Sequence, residues 1–128
     1  MKSPSPPIIQ VLVVEDDGEL RKVLCESISQ AGYAVTEAAD GLQASAILRA
    51  KPFGLVITDL YMPKRDGFEV IMELHQSRPR TKIIAISGHP TRQNMLPAAA
   101  WLGARRTIAK PFTPQEMLEL IKEVLAEP

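Results

Sequence analysis

The chain has 128 residues, 45% of them hydrophobic and 23% charged, which is one domain's worth of sequence with enough apolar surface for a core that needs no staples. Fifteen basic and fifteen acidic residues cancel, so the basic excess of a nucleic-acid module is missing. The lone Cys25 excludes a disulfide framework or a cysteine-rich zinc site. No apolar run approaches the roughly 18 residues of a membrane span, and the opening Met-Lys-Ser-Pro-Ser-Pro-Pro is not a signal peptide, so a cytoplasmic domain is expected.

Three of the eleven prolines fall in the first seven residues, and 1–7 reads as a disordered tail ahead of a folded domain over 8–128. Ile8 to Val14 is almost wholly apolar and β-branched, the pattern of a strand buried on both faces, and it stops at Glu15-Asp16-Asp17. Leu20, Val23, Leu24 and Ile28 follow helical spacing, with Gly32 as a stop. Tyr33 to Thr36 is a short strand. Asp40 caps a helix carrying Leu42, Ala46, Ile47 and Leu48, which Lys51-Pro52 closes. Phe53 to Thr58 forms a third strand ending at Asp59. Phe68, Ile71, Met72 and His75 mark a helical stripe ended by Pro79.

Lys82 to Ile86 is a fourth strand ending at Ser87-Gly88. Ala98 to Leu102 lies in a shorter helix, with Asn94 as its N-cap and Pro97 in its first turn. Thr107 to Ala109 is a fifth strand, before Lys110-Pro111. Thr113-Pro114-Gln115-Glu116 combines an N-cap threonine, a proline at the first helical position and a glutamate at the third, the start of a capping-box helix. Strand–helix alternation repeated five times predicts an α/β fold, a five-stranded parallel sheet with helices on both faces.

In such sheets the chemistry sits beyond the carboxyl ends of the strands. Those ends carry Glu15, Asp16 and Asp17, then Asp59, then Ser87, then Lys110. Asp17 is as well explained as a helix N-terminal residue. Carboxylates at short range repel, and a divalent cation offsets that repulsion; hard oxygen ligands suit Mg²⁺. A lysine and a hydroxyl beside them suit a phosphoryl group, which makes Asp59 a candidate nucleophile for an aspartyl phosphate.

These residues carry a resemblance. Val11 to Asp17, Thr58-Asp59-Leu60-Tyr61-Met62-Pro63 with Asp66-Gly67, Ile86-Ser87-Gly88-His89, and Gly103-Ala104 with Lys110-Pro111-Phe112 resemble the motifs of the response-regulator receiver domain of two-component signalling, from about Gln10 to Ala126. The resemblance implies a flavodoxin-like fold and a phosphorylation-controlled switch rather than a turnover enzyme. It implies that Asp59 accepts a phosphoryl group from a histidine kinase or phosphotransfer protein. It implies Mg²⁺ held by Asp16, Asp59 and the Tyr61 carbonyl, with Glu15 helping through water. It implies that Ser87 and Lys110 engage the phosphoryl group, and that Lys110-Pro111 is a cis peptide. The partners implied are that kinase and a downstream effector or output domain outside this chain, with no direct nucleic-acid or membrane partner.

Two competing readings are a phosphorylation-independent pseudo-receiver and an aspartyl-phosphate hydrolase. The hydrolase pattern has a second aspartate where this chain has Tyr61, and the pseudo-receiver is disfavoured by the complete set of Glu15, Asp16, Asp59, Ser87 and Lys110. The family's usual aromatic three residues before the lysine is Thr107 here, so switching is expected to rely on the Ser87–Arg92 loop. Gly88 keeps the small residue beside the switch hydroxyl, and Tyr61 and His89 flank the site where they influence water access. Cys25 reads as an inert, partly buried thiol.

Overall fold

The predicted alternation is realised in a computed structural model that describes residues 7–60, 66–87 and 103–128, with the backbone alone at Phe68. In chain order the elements are β1 (Gln10–Val14), α1 (Gly18–Gln30), β2 (Ala34–Ala38), α2 (Gly41–Ala50), β3 (Leu55–Asp59), α3 (Gly67–Ser77), β4 (Lys82–Ser87), β5 (Arg106–Ala109) and α4 (Pro114–Ala126). The strands form one parallel sheet in the order β2-β1-β3-β4-β5. The chain leaves β1 on one side to make β2 and returns to its other side for β3. This is the strand order of the flavodoxin-like fold, with its switch point between β1 and β3.

Side chains alternate across each strand, so the sheet builds two cores. Val11, Val13, Leu55, Ile57, Ile84 and Ile86 face Leu24 and Ile28 of α1 and Met117, Ile121 and Val124 of α4. Leu12, Val14, Val56, Ile83 and Ala85 face Ala44 and Leu48 of α2 and Val70, Ile71 and Leu74 of α3. Burial on both faces explains why these strands read as continuous apolar runs; each fully buried branched side chain contributes about 1.5–3 kcal/mol.

The helix starts match their local chemistry. Asp17, Asp40 and Asp66 cap α1, α2 and α3. Both halves of the capping box form at α4, Glu116 N–H to Thr113 Oγ1 at 3.0 Å and Thr113 N–H to Glu116 Oε1 at 3.1 Å. Gly32, just past α1, has φ +103°, a backbone state that favours glycine. No described helix is long and apolar enough to cross a membrane.

Several expected limits and faces are corrected. β1 starts two residues later than Ile8, because Ile8 and Ile9 are exposed, and β2 runs on to Ala38. Val23, Leu42 and Met72 are exposed rather than buried in helical stripes, and His75 is exposed rather than packed into the core. The buried positions are Cys25, Ala44, Val70 and Leu74 instead. Where apolar residues are adjacent, as in Val23-Leu24-Cys25 and Val70-Ile71-Met72, helical period leaves the centre of the face undetermined, and docking on the sheet decides it. The expected helix at Ala98–Leu102, with Asn94, Pro97 and the first six residues of the tail, lies outside the described residues.

Cys25 is buried as expected. Burial, aided by the Glu37 charge and opposed by Arg21, pushes its thiol up to about 11. The reactive thiolate is therefore scarce at pH 8, and alkylation of folded protein should run about a hundredfold slower than of unfolded protein. Timed iodoacetamide labelling with and without denaturant measures this, and equal rates would contradict it.

Candidate functional site

The switch point brings the ends of β1 and β3 together, and β4 and β5 complete the edge. Glu15, Asp16 and Asp59 each place a carboxylate oxygen within 4.8 Å of the others. Glu15 is fully buried and Asp59 nearly so, whereas Asp16 is exposed. Lys110 reaches across from the end of β5, its Nζ 2.8 Å from Glu15 Oε1 and 2.9 Å from Asp59 Oδ2. Its position is set by its backbone N–H, which bonds the Ser87 carbonyl at 2.8 Å and extends the β4–β5 ladder by a residue. Ser87 is buried, and its Oγ has no hydrogen-bond partner among the described residues. A buried hydroxyl without a partner is costly unless a further group completes it.

The acidic run after β1 divides by role. Asp17 caps α1 through the amides of Glu19 and Leu20, at 3.0 and 3.3 Å, so the helix-terminus explanation holds for this residue. The Glu15 carboxylate accepts from the Asp17 amide at 3.1 Å and forms an ion pair with Lys110. Glu15, expected to act through water, is thus also a direct counter-charge to Lys110. Asp16 is exposed, with its carboxylate beside the other two.

The Asp66-Gly67 pair gains a physical reason. Asp66 caps α3 through the Glu69 amide at 3.0 Å. Gly67 lies against the backbone of the β3 end, where a Cβ would fall 2.0 Å from the Asp59 carbonyl oxygen and 2.8 Å from Leu60 Cα. The Gly67 amide also bonds the Leu60 carbonyl at 3.1 Å. Thr107, in place of an aromatic, is half-buried on β5 opposite Ala85. The Lys110–Pro111 peptide is cis. Tyr61, Met62-Pro63, Gly88, His89 and Pro90 lie outside the described residues.

Electrostatics follow from two buried carboxylates sharing one ammonium. Burial, and repulsion from Asp59, push Glu15 up to about 7 against the opposing hydrogen bond of Lys110. Burial works against the Lys110 charge, but its bonds to Glu15 and Asp59 outweigh it and hold the ammonium above its ordinary range. A carboxyl raised in the folded state binds its proton more tightly there than in the unfolded chain. Its contribution to stability is therefore full below the unfolded value near 4.5 and declines as pH rises to about 7. In chelator, Glu15→Gln should gain on the native protein by up to about 3 kcal/mol between pH 4.5 and 7.5. Denaturant midpoints across that range test this, and a constant gap between the two proteins would contradict it.

The profile of the response regulator receiver domain matches residues 11–122. The probable chemotaxis protein CheY of Rhizobium etli is 36% identical over 120 residues, covering 91% of this chain and 92% of that protein. The response regulator receiver protein CpdR of Brucella abortus is 30% identical, covering 91% and 96%. A probable transcriptional regulator, ycf27 of Porphyridium aerugineum, is 37% identical, and there the chain spans about half of the relative, 48%. Among solved structures, the receiver domain of NtrX from Brucella abortus superposes with TM-score 0.86 at 25% identity, covering 92% of this chain and 99% of that one. A CheY-like receiver domain protein from Methanospirillum hungatei gives 0.85 at 29% identity, covering 93% and 94%. The chain belongs to the response regulator receiver domain family. It is a receiver domain of two-component signalling, and such domains act as signalling switches.

Two contributors to the site were not singled out from the sequence. The Arg21 guanidinium donates to the Glu15 carbonyl at 2.7 Å, and the Thr58 hydroxyl donates to the Asp59 carbonyl at 3.0 Å. Arg21 stands four residues after the cap Asp17, on the first full turn of α1, which is a legible signal that it sits near the strand end.

Proposed function

We propose that Asp59 accepts a phosphoryl group from a phosphohistidine of a sensor kinase or phosphotransfer protein, in a Mg²⁺-dependent reaction that changes binding to a downstream effector or output domain outside this chain. The observation that carries this reading is Lys110 Nζ, 2.9 Å from Asp59 Oδ2 inside a carboxylate trio at the switch point. An Asp59 oxygen attacks phosphorus. The P–N bond of the donor breaks, and its electron pair goes to the imidazole nitrogen, which takes a proton from solvent. Asp59 gives up its own charge to the new bond, while the phosphoryl oxygens bring about 1.5–2 negative charges. Lys110 pairs with one of them, and Ser87 Oγ, which has no partner among the described residues, donates to another.

The donor set fits a hard divalent cation: three carboxylates, two of them shielded from water and one open to it. Glu15, Asp16 and Asp59 would hold it, together with the Tyr61 carbonyl. When bound, it neutralises the clustered carboxylates and the phosphoryl oxygens. Hydrolysis of the aspartyl phosphate resets the domain, so the chain is a switch and not a turnover enzyme. With Thr107 in the place of the usual aromatic, the change is relayed by the segment after Ser87. Residues 8–128 form the receiver unit and 1–7 an appended tail. Its partners are proteins of the cytoplasm rather than nucleic acids or membranes.

Incubation with a small acyl phosphate and Mg²⁺, followed by intact-mass measurement, tests this reading. One phosphoryl group should be gained, and chelator should abolish the gain. No gain by folded native protein would instead favour a phosphorylation-independent interaction module.

A further inference from the structure

We infer that Arg21 is a positioning residue for the cation ligands: it holds the Glu15–Asp16 peptide in the orientation that directs Asp16 at the site. This rests on the reading of Glu15, Asp16 and Asp59 as cation ligands. The β1–β2 register ends at Val14 opposite Ala38. One further ladder bond follows, Glu15 N–H to the Ala38 carbonyl at 3.1 Å. The next carbonyl, that of Glu15, has run out of strand, and Arg21 Nη1 takes the place of a strand partner at 2.7 Å. Such a bond to an ionised donor is short and strong.

Arg21 is itself fixed at two points. Its backbone N–H makes the first turn of α1 by bonding the Asp17 carbonyl at 2.9 Å. Its Nε donates to Glu37 Oε1 on β2 at 2.9 Å, and the side chain is only 20% exposed. The guanidinium therefore ties β2, α1 and the end of β1 together. Glu15 and Asp17 have their own side-chain anchors in this loop, but the Asp16 carboxylate has none among the described residues. Its direction depends on the peptide that precedes it, and that peptide plane is what Arg21 sets. Among the described residues Arg21 makes no hydrogen bond or ion pair with the carboxylates of Glu15, Asp16 or Asp59, and its charge is balanced by Glu37. Its effect is one of geometry, not of field. Lysine cannot reproduce it, because a single ammonium cannot span both acceptors as a planar fork does.

The test uses full-length protein and two variants that keep the net charge, Arg21→Lys and the double variant Arg21→Ala/Glu37→Ala. Calorimetric titration with Mg²⁺ of the unphosphorylated proteins should give affinities about tenfold weaker in both, as expected for a residue that orients a ligand. In chelator, hydrogen exchange at the Asp17 amide should speed up about tenfold in Arg21→Lys, relative to core amides of β3 in the same sample. A purely structural role would lower the melting midpoint and speed all amides alike, leaving Mg²⁺ affinity of the folded protein within twofold of native, and that result overturns the inference. If native protein binds no Mg²⁺, the cation reading fails and the metal role of Arg21 with it. If native protein binds Mg²⁺ and the variants bind it equally well, the inference alone fails.

Discussion

Gly67→Ala should destabilise the domain by about 3 kcal/mol or more, the upper end of what overpacking costs. The added Cβ would fall 2.0 Å from the Asp59 carbonyl oxygen, and the second contact, Leu60 Cα, is also backbone. No rotamer change can relieve either one. Either α3 moves away from β3, losing the packing of Val70, Ile71 and Leu74, or the end of β3 moves and carries Asp59 with it. The second route misplaces the acceptor, and a displacement on the order of 1 Å costs about a hundredfold in a positioned reaction. Denaturant melts and the rate of phosphorylation by a small donor read the two consequences separately. Gly54→Ala is the control, since its Cβ would press only on the Ile9 side chain, which is exposed and can turn aside. A Gly67→Ala midpoint as close to native as that of Gly54→Ala would show that the strand–helix contact has more slack than these distances allow.

Lys110→Ala should slow phosphoryl acceptance by at least about a hundredfold, in line with removal of one fixed electrostatic donor from a transition state. It should also destabilise the unphosphorylated protein. Lys110 is the counter-charge at 2.8 and 2.9 Å to two buried carboxylates, and breaking such a pair strands the charges that remain. The loss should be about 1–3 kcal/mol at pH 8, below the full cost of a stranded buried charge because Lys110 is partly open to water. It should shrink near pH 5, where Glu15, already raised to about 7 in the native protein, carries its proton. Added Mg²⁺ should restore stability but not the rate. A variant that is phosphorylated at the native rate would remove Lys110 from the reaction, whatever its stability.

The sheet was legible because its strands are buried on both faces and so appear as unbroken apolar runs, each closed by a polar residue. The α4 start was legible because Thr113 and Glu116 satisfy each other's amides at a fixed spacing. The convergence of Glu15, Asp16, Asp59, Ser87 and Lys110 followed from topology, since parallel strands bring their carboxyl ends to one edge. Which side of each helix docks was less legible. Val23 and Cys25 flank Leu24 on either side, and a rotation of the helix exchanges them. The work of Gly67 and Arg21 was legible only in part, for a related reason. Each acts on a backbone carbonyl of another element, and a carbonyl leaves no mark in the residue types. Glu15 shows the same limit: its charge was visible, but its burial against Lys110 depends on β1 and β5 ending at the same level on either side of β3 and β4.

The most direct measurement is the location of the phosphoryl group. Native protein treated with a small acyl phosphate and Mg²⁺, then reduced with borohydride and digested, should yield homoserine at position 59, the product expected from an aspartyl phosphate. Asp59→Asn, shown by its melt to be folded, should gain no phosphoryl group and no homoserine. Equal phosphoryl incorporation in both proteins, or homoserine at Asp16 instead, would contradict Asp59 as the acceptor.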